Sequence, residues 1–330
     1  MYKFYFTKRS LNDATEYYVS LIERAIAEIG ERSVRVYNVK DLNKGDVVVT
    51  IEAKDFFIVS MRRPGLKMIN WYQGIVPEEA FMMFGSLWRK KLWEIFESFT
   101  LRKAALNIFV SQSMQRHYLK KYQYNDNNYF VMPCYNQQLN QLAFEHRQKY
   151  SVPSFVYAGS LAKWQCVDQA LITFKGVQDK IPKARITLLT NEKEQAETLF
   201  GKYDIRNGIV KYCPLNELQK ELEQYKYGFL IREDHVVNNV ATPTKMNSYL
   251  SAGIIPVYTN VIDSFEEHLR LEGYAVKFDY GNIEDAVNQI LKLENRHINT
   301  ADILNQYKKV FELYYNDDEY VESLKSILKS

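Results

Sequence analysis

Cysteine is scarce. Cys134, Cys166 and Cys213 are the only three in 330 residues, widely spaced and odd in number, which argues against a disulfide framework and leaves them reading as reduced thiols. None forms a C-x-x-C pair, so structural zinc is not expected. Long apolar runs are missing too: nothing approaches the roughly 18 residues of a membrane span, and the opening MYKFYFTKRS is too short in apolar residues for a secretory leader. A cytoplasmic chain is expected. No D-x-D triplet is present to hold a divalent ion on a diphosphate, and there is no G-x-x-x-x-G-K-[ST] loop, G-x-G-x-x-G fingerprint or H-E-x-x-H helix. Neither a metal nor a cofactor is expected. Fixed-period repeats and low-complexity tracts are absent as well, so neither a solenoid nor disorder is expected.

What is present is an ordinary soluble balance, 46% hydrophobic and 25% charged, with 25 Tyr and 18 Phe raising the aromatic share to 14%. The length suits two domains of about 150 residues each. Charge is uneven between the halves: residues 1–150 carry 22 Lys and Arg against 15 Asp and Glu, residues 151–330 carry 21 against 25. A basic first half suits an anionic partner such as a membrane surface, a polyprenyl phosphate or nucleic acid.

YKFYF reads as a strand, TEYYVSLIERAIAEIG as a helix, and SVRVYNV, DVVVTIEA and LKMINWYQGI as further strands. Helical segments follow from Phe81 to Ala105, then the strand LNIFVS, the helix SMQRHYLKKY and the extended YFVMPCYN. The polar residues 136–153 read as an interdomain linker. The second half repeats the strand–helix grammar from SFVYAGS to IIPVYT, so two doubly wound parallel sheets are predicted. The expected domains are 1–150 and 151–315, with 316–330 as a helix packing back on the first.

The stretch 227–259 carries the chemistry. A strand delivers Arg232 to its carboxyl end, a polar loop follows, and Pro243 stands where a helix starts. Ligands collect beyond the carboxyl ends of parallel strands, and free N–H groups at a helix start favour phosphate. Thr244 is placed to bind a diphosphate, with Arg232 and Lys245 neutralising it as it leaves. The alternative for both cations is a solvated surface. His235, a lone histidine there, has a structural alternative. Ser160 and Lys163, in the loop after YAG, read as phosphate or sugar contacts, while Gln73 and Gly74, after a strand rich in apolar residues, read as a cleft-lining loop or an ordinary turn.

This stretch resembles the donor-binding segment of GT-B glycosyltransferases of group 1, or family 4, whose small-residue, Gly, x, Pro, Val pattern matches SAGIIPV at 251–257. FVYAGSLAKWQCVDQAL is similar to the opening of that family's second domain, INWYQGIVPEE to its first-domain loop, and NIFVSQSMQRHY with VMPCYN to that domain's last strands. The resemblance covers most of the chain. It implies a GT-B fold, two Rossmann-like α/β domains facing each other across a cleft, with donor in the second domain, acceptor mainly in the first, and retention of anomeric configuration. Donor contacts then fall on Gly159, Ser160, Lys163, Gln165, Leu215, Glu233, His235, Asn239, Thr244 and Ser248, and acceptor contacts on Gln73, Gly74 and Glu78. Glu78 and Glu79 also read as a helix N-terminal turn. This chain departs from the pattern at Ser248, where the family often has Glu, and at Ser160 and Gln165, where it has Arg and Lys; the phosphate charge then falls to Arg232, Lys245 and Lys163.

Residues 81–121 hold eight Lys and Arg against two Asp and Glu. Trp88, Trp93, Phe96 and Phe99 beside Arg89, Lys90 and Lys91 read either as an amphipathic helix on an anionic membrane or as a core-facing helix with its basic side in water. The predicted function is sugar transfer from a UDP- or GDP-type donor to a hydroxyl of a glycan or polyprenyl-linked acceptor, in bacterial surface polysaccharide synthesis. The alternative is a non-catalytic nucleotide- or nucleic-acid-binding protein. Because the basic residues cluster on one helical region and do not interleave with aromatics along a groove, no nucleic-acid partner is expected.

Overall fold

Strands of three to six residues alternate with helices along the chain, and every strand pairing is parallel. The computed structural model describes residues 1–7, 11, 13–125 and 127–329. Parallel strands are covered on both faces, which is why β-runs such as LNIF, YGFL and IPVYT are mostly apolar and buried at every position.

Two units separate, Met1–Cys134 with Val240–Thr242 and Asn316–Ser330, and Tyr135–Asn239 with Pro243–Tyr315. The first holds β1 (Tyr2–Tyr5), α1 (Asp13–Glu28), β2 (Ser33–Val36), β3 (Val47–Thr50), α2 (Ala53–Arg62), β4 (Lys67–Tyr72), α3 (Val76–Phe84), α4 (Leu87–Lys103), β5 (Leu106–Phe109), α5 (Gln112–Tyr122) and β6 (Tyr129–Val131). Its strand order is β2-β1-β3-β4-β5-β6. Gly85, in the left-handed region at φ 62°, ends α3, and Ser86 caps α4 by accepting from the Arg89 N–H at 3.4 Å.

The second unit holds β7 (Ser154–Ala158), α6 (Val167–Lys180), β8 (Arg185–Leu189), α7 (Lys193–Lys202), β9 (Gly208–Lys211), α8 (Leu215–Leu222), β10 (Tyr227–Leu230), α9 (Val236–Asn239), α10 (Thr244–Ser251), β11 (Ile255–Thr259), α11 (Asp263–His268), β12 (Val276–Phe278), α12 (Ile283–Glu294) and α13 (Thr300–Leu313). Its order, β12-β11-β10-β7-β8-β9, reverses direction between β7 and β10, which defines a crevice at their carboxyl ends. The last helix, α14 (Asp317–Lys329), lies with the first unit. It packs on α1, where Tyr17 donates to Asp317 at 2.6 Å, Arg24 meets Asp318 at 2.6 Å and Lys325 meets Glu28 at 2.9 Å.

Three features differ from the sequence reading. The expected linker is a strap that belongs to the second unit. Asn247 accepts the N–H of Asn136 at 3.1 Å and of Gln137 at 2.8 Å, Lys149 donates to the Ala252 carbonyl at 2.6 Å, and Tyr150 donates to that of Gly253 at 2.6 Å. These polar residues satisfy backbone groups at the end of α10, and the boundary falls at 134 instead of 150. The strap also explains Gly253: at φ +67° its backbone favours glycine, and a Cβ there would meet the Tyr150 hydroxyl at 2.9 Å. Second, α2 occupies AKDFFIVSMR, unassigned from sequence, and supplies the crossover that parallel β3 and β4 require. Third, β12 and three further helices, unassigned from sequence, fill the expected second domain beyond β11 to Tyr315.

Candidate functional site

At the crevice of the second sheet, β7 ends at Ala158 and the chain turns at Gly159, whose φ of +136° lies outside ordinary L-residue space. A Cβ at Gly159 would stand 2.8 Å from Cε and 3.0 Å from Nζ of Lys245, so glycine is what lets that side chain lie across the turn. Lys245 comes from the first turn of α10, which starts after Pro243. Its ammonium donates to the Tyr157 hydroxyl at 3.2 Å and to Gln165 Oε1, and stands 4.4 Å from the centre of the Tyr157 ring. Tyr157 in turn donates to the Ser160 carbonyl and to Gln165 Oε1, the latter at 3.3 Å. One tyrosine therefore fixes both the loop and the lysine.

Arg232 follows β10. Its backbone is clamped by Thr259, which accepts the Arg232 N–H at 2.9 Å and donates to its carbonyl at 2.7 Å. The guanidinium donates to the carbonyls of Gln165 at 3.3 Å and Ile231 at 3.1 Å, and the residue is only 4% exposed. Burial pushes the Arg232 pKa down, and burial reinforced by the Arg232 charge pushes that of Lys245 well down. Among the described residues neither cation forms an ion pair with a carboxylate. Two desolvated positive charges side by side are a strained arrangement that an anion relieves.

Of the residues read from sequence, the fold brings together Arg232, Lys245, Gly159, Ser160 and Gln165. The others take different places. His235 Nδ1 accepts the Val237 N–H at 3.2 Å and so holds the start of α9. Asn239 donates to Asp234 and to the Val261 carbonyl, both at 2.9 Å, and Ser248 is buried and donates to the Thr244 carbonyl at 3.2 Å. Glu233 is half-buried and its carbonyl accepts from Asn238 at 3.1 Å. Half-buried Leu215 opens α8, half-buried Thr244 opens α10, and Lys163 is exposed in a short 3-10 turn. Tyr157 and Thr259 escaped sequence reading. The signal for Tyr157, an aromatic two residues before the turn glycine, acquires meaning only once Gln165 folds back.

In the first unit, Gln73 and Gly74 line a cavity of about 390 Å³ at the carboxyl ends of β3 and β4. Glu78 points elsewhere: it is buried and meets Lys121 at 2.7 Å and Lys90 at 3.6 Å. Its neighbour Glu79 lines the cavity instead, with Glu97, whose carboxylate accepts from Tyr118 at 2.9 Å and Tyr122 at 2.7 Å. Burial drives the Glu97 pKa up to about 8.

The helix α4 has two apolar faces. Phe57 of α2 lies 5.1 Å from the ring centres of both Phe96 and Phe99, and Trp93 packs on Phe96 at 5.8 Å. The adjoining stripe, Trp88, Leu92 and Ile95, is exposed, Trp88 by 74% and Ile95 by 59%, and continues into exposed Phe84 and Leu87. A purely core-facing helix does not fit this stripe. No helix among the described residues is long and apolar enough to cross a membrane, and no three His, Cys, Asp or Glu side chains gather there as a metal site.

No protein-family model and no curated protein matches the sequence. Solved structures do match the fold. Anabaena HepE, crystallised with UDP and glucose, aligns over 100% of this chain and 99% of its own, with TM-score 0.73 and 11% identity. Sucrose-phosphate synthase from Thermosynechococcus elongatus aligns over 99% and 98%, with TM-score 0.72 and 11% identity. TarM from S. aureus, crystallised with UDP, aligns over 86% of this chain with TM-score 0.65 and 13% identity, and this chain spans 55% of its length. With its two six-stranded parallel sheets, the chain has the fold of GT-B glycosyltransferases.

Proposed function

We propose that this chain transfers a sugar from a UDP- or GDP-type donor to a hydroxyl of a glycan or lipid-linked acceptor. The Arg232–Lys245 pair carries the reading: two cations with no ion-paired carboxylate among the described residues, at the switch point of the second sheet, beside a glycine turn and a helix start. As the bond between the anomeric carbon and the diphosphate oxygen breaks, negative charge grows on the leaving group. Both side chains stabilise it there more than in the ground state. They take the role a divalent ion plays in other transferases, so the proposed reaction runs without metal. Configuration is retained: the departing phosphate oxygen takes the proton of the acceptor hydroxyl on the same face, and no carboxylate base is assigned. Thr244 and Ser160 complete the phosphate contacts. The fold shared with UDP-bound HepE supports this donor class.

A lipid-linked acceptor, and with it a role in bacterial surface polysaccharide synthesis at the inner face of the membrane, is supported by the exposed stripe of α4. Trp88, Leu92 and Ile95 are flanked by Arg89, Lys91 and Arg102, the composition of a surface that sits on anionic headgroups. Sedimentation with phosphatidylglycerol vesicles, lost on Trp88→Ala and absent with phosphatidylcholine alone, is the expected result.

The donor site is tested by thermal unfolding with UDP or GDP in EDTA. Stabilisation is expected in the wild type and neither in Arg232→Ala nor in Lys245→Ala, while single-stranded RNA gives none. Equal stabilisation of both variants would remove the reading.

A further inference from the structure

The two cations at the crevice of the second unit are held by neutral oxygens, and one residue touches both. The Gln165 carbonyl accepts from the Arg232 guanidinium at 3.3 Å, while the Gln165 side-chain oxygen Oε1 accepts from the Lys245 ammonium. Tyr157 completes the cradle: its ring centre lies 4.4 Å from the Lys245 nitrogen, and its hydroxyl accepts from that nitrogen at 3.2 Å. The hydroxyl's own proton is directed to the Ser160 carbonyl and Gln165 Oε1, which leaves an oxygen lone pair for the lysine. Burial holds the Tyr157 pKa above its usual value, so the group stays a neutral phenol. Glu192, which acts on Tyr157 electrostatically, has its carboxylate engaged by the Leu161 N–H at 2.6 Å.

A carboxylate in the place of the Gln165 amide would hold the lysine more firmly but cancel the charge that a diphosphate needs. With no partner at all, burial and the Arg232 charge would drive the amine to lose its proton or turn away. Neutral acceptors avoid both outcomes, because they aim the ammonium without cancelling it. We propose that Tyr157 and Gln165 are positioning residues for Lys245, keeping its ammonium aimed across the Gly159 turn with its charge free for an incoming anion. The role in donor binding rests on the glycosyl-transfer reading. Glutamine at 165 then has a reason: the position must accept from Lys245 and carry no charge, and a lysine there, as in the resembling family, would repel it.

Two measurements on the full chain test this. Competitive labelling with a trace of acetic anhydride across pH, read by mass spectrometry, follows the half-buried Lys245 without any nucleotide, and calorimetric titration follows UDP and GDP. Tyr157→Phe keeps the ring and removes the acceptor, so the Lys245 titration should move to lower pH and the nucleotide should bind about fivefold more weakly. Gln165→Glu keeps the shape and adds a charge; it should move the titration the other way, to higher pH, and still weaken the nucleotide about fivefold. In a Lys245→Ala background, Tyr157→Phe should change nucleotide affinity by less than about twofold, because its effect passes through the lysine. The proposal is overturned if Lys245 titrates alike in the wild type and both variants, if Gln165→Glu binds nucleotide as well as the wild type, or if Tyr157→Phe weakens binding equally with and without the lysine. A wild type that binds neither nucleotide, with the Lys245 titration shifting as expected, sinks the donor reading and leaves the cradle standing.

Discussion

The two sheets present opposite charge at the same place in their architecture. Beyond β7 and β10 stand Arg232 and Lys245, with no carboxylate ion-paired to either among the described residues; near the ends of β3 and β4 stand Glu52, Glu79 and Glu97, the last 4.0 Å from Lys121. Both sites follow from one rule, that parallel sheets expose loops and helix starts at their carboxyl ends. What differs is the sign of the side chains at each corner, and on the proposed reading the cationic one takes a diphosphate. Fold fixes where ligands sit, and a few side chains fix their sign.

The largest expected effect is at Arg232. Arg232→Ala removes a buried cation and should weaken UDP or GDP by about a hundredfold, on the basis of roughly 1.5–3 kcal/mol per charged hydrogen bond. Calorimetric titration checks this, and the contrast between the units breaks if nucleotide binds the variant as well as the wild type. Next comes Lys245→Ala, with an expected loss of about tenfold or more. The Lys245 pKa is depressed, so its charge is lost as pH rises through that lowered value. Nucleotide affinity in the wild type should therefore decline with rising pH, and in Lys245→Ala this decline should shrink.

A third effect concerns the acidic side. The Glu97 pKa, held up at about 8 chiefly by burial, lies above the unfolded value. Its contribution to stability is full below the unfolded pKa and is lost as pH rises through about 8. Thermal unfolding of the wild type should fall across that window, and Glu97→Gln should flatten the fall. The smallest effect is at the surface pair of Arg24 and Asp318, 44% and 77% exposed at their side chains. Arg24→Ala should cost under about 1 kcal/mol in denaturant unfolding, because water screens such pairs. A larger loss would mean that charge in solvent matters as much as charge in the two crevices.

Much of this was legible in the sequence. Apolar strand runs, helical spacing and the Pro and Gly punctuation of 227–259 located β10, α10 and β11, and with them Arg232 and Lys245. What escaped depends on direction and on long-range closure. Glu78 and Glu79 are neighbours, yet successive helical residues point about 100° apart, and only packing decides which enters the cavity. Polarity in 136–153 suggested a solvated linker, because the carbonyls at the end of α10 that its side chains satisfy are remote in sequence. Apolar residues on both faces of α4 left its period ambiguous, so the exposed stripe emerged only with its neighbours in place.

The helix α14 is seated on α1, with the whole second unit between them in sequence. During synthesis the first sheet emerges from the ribosome before the second, yet its outer helix still lacks its neighbour. Val321 and Leu324, buried in the finished fold, are added only after the second sheet has been made. The first unit is thus completed only after the second has been made, and a ribosome that stops short of residue 317 releases a chain whose earlier-made lobe has an uncovered flank.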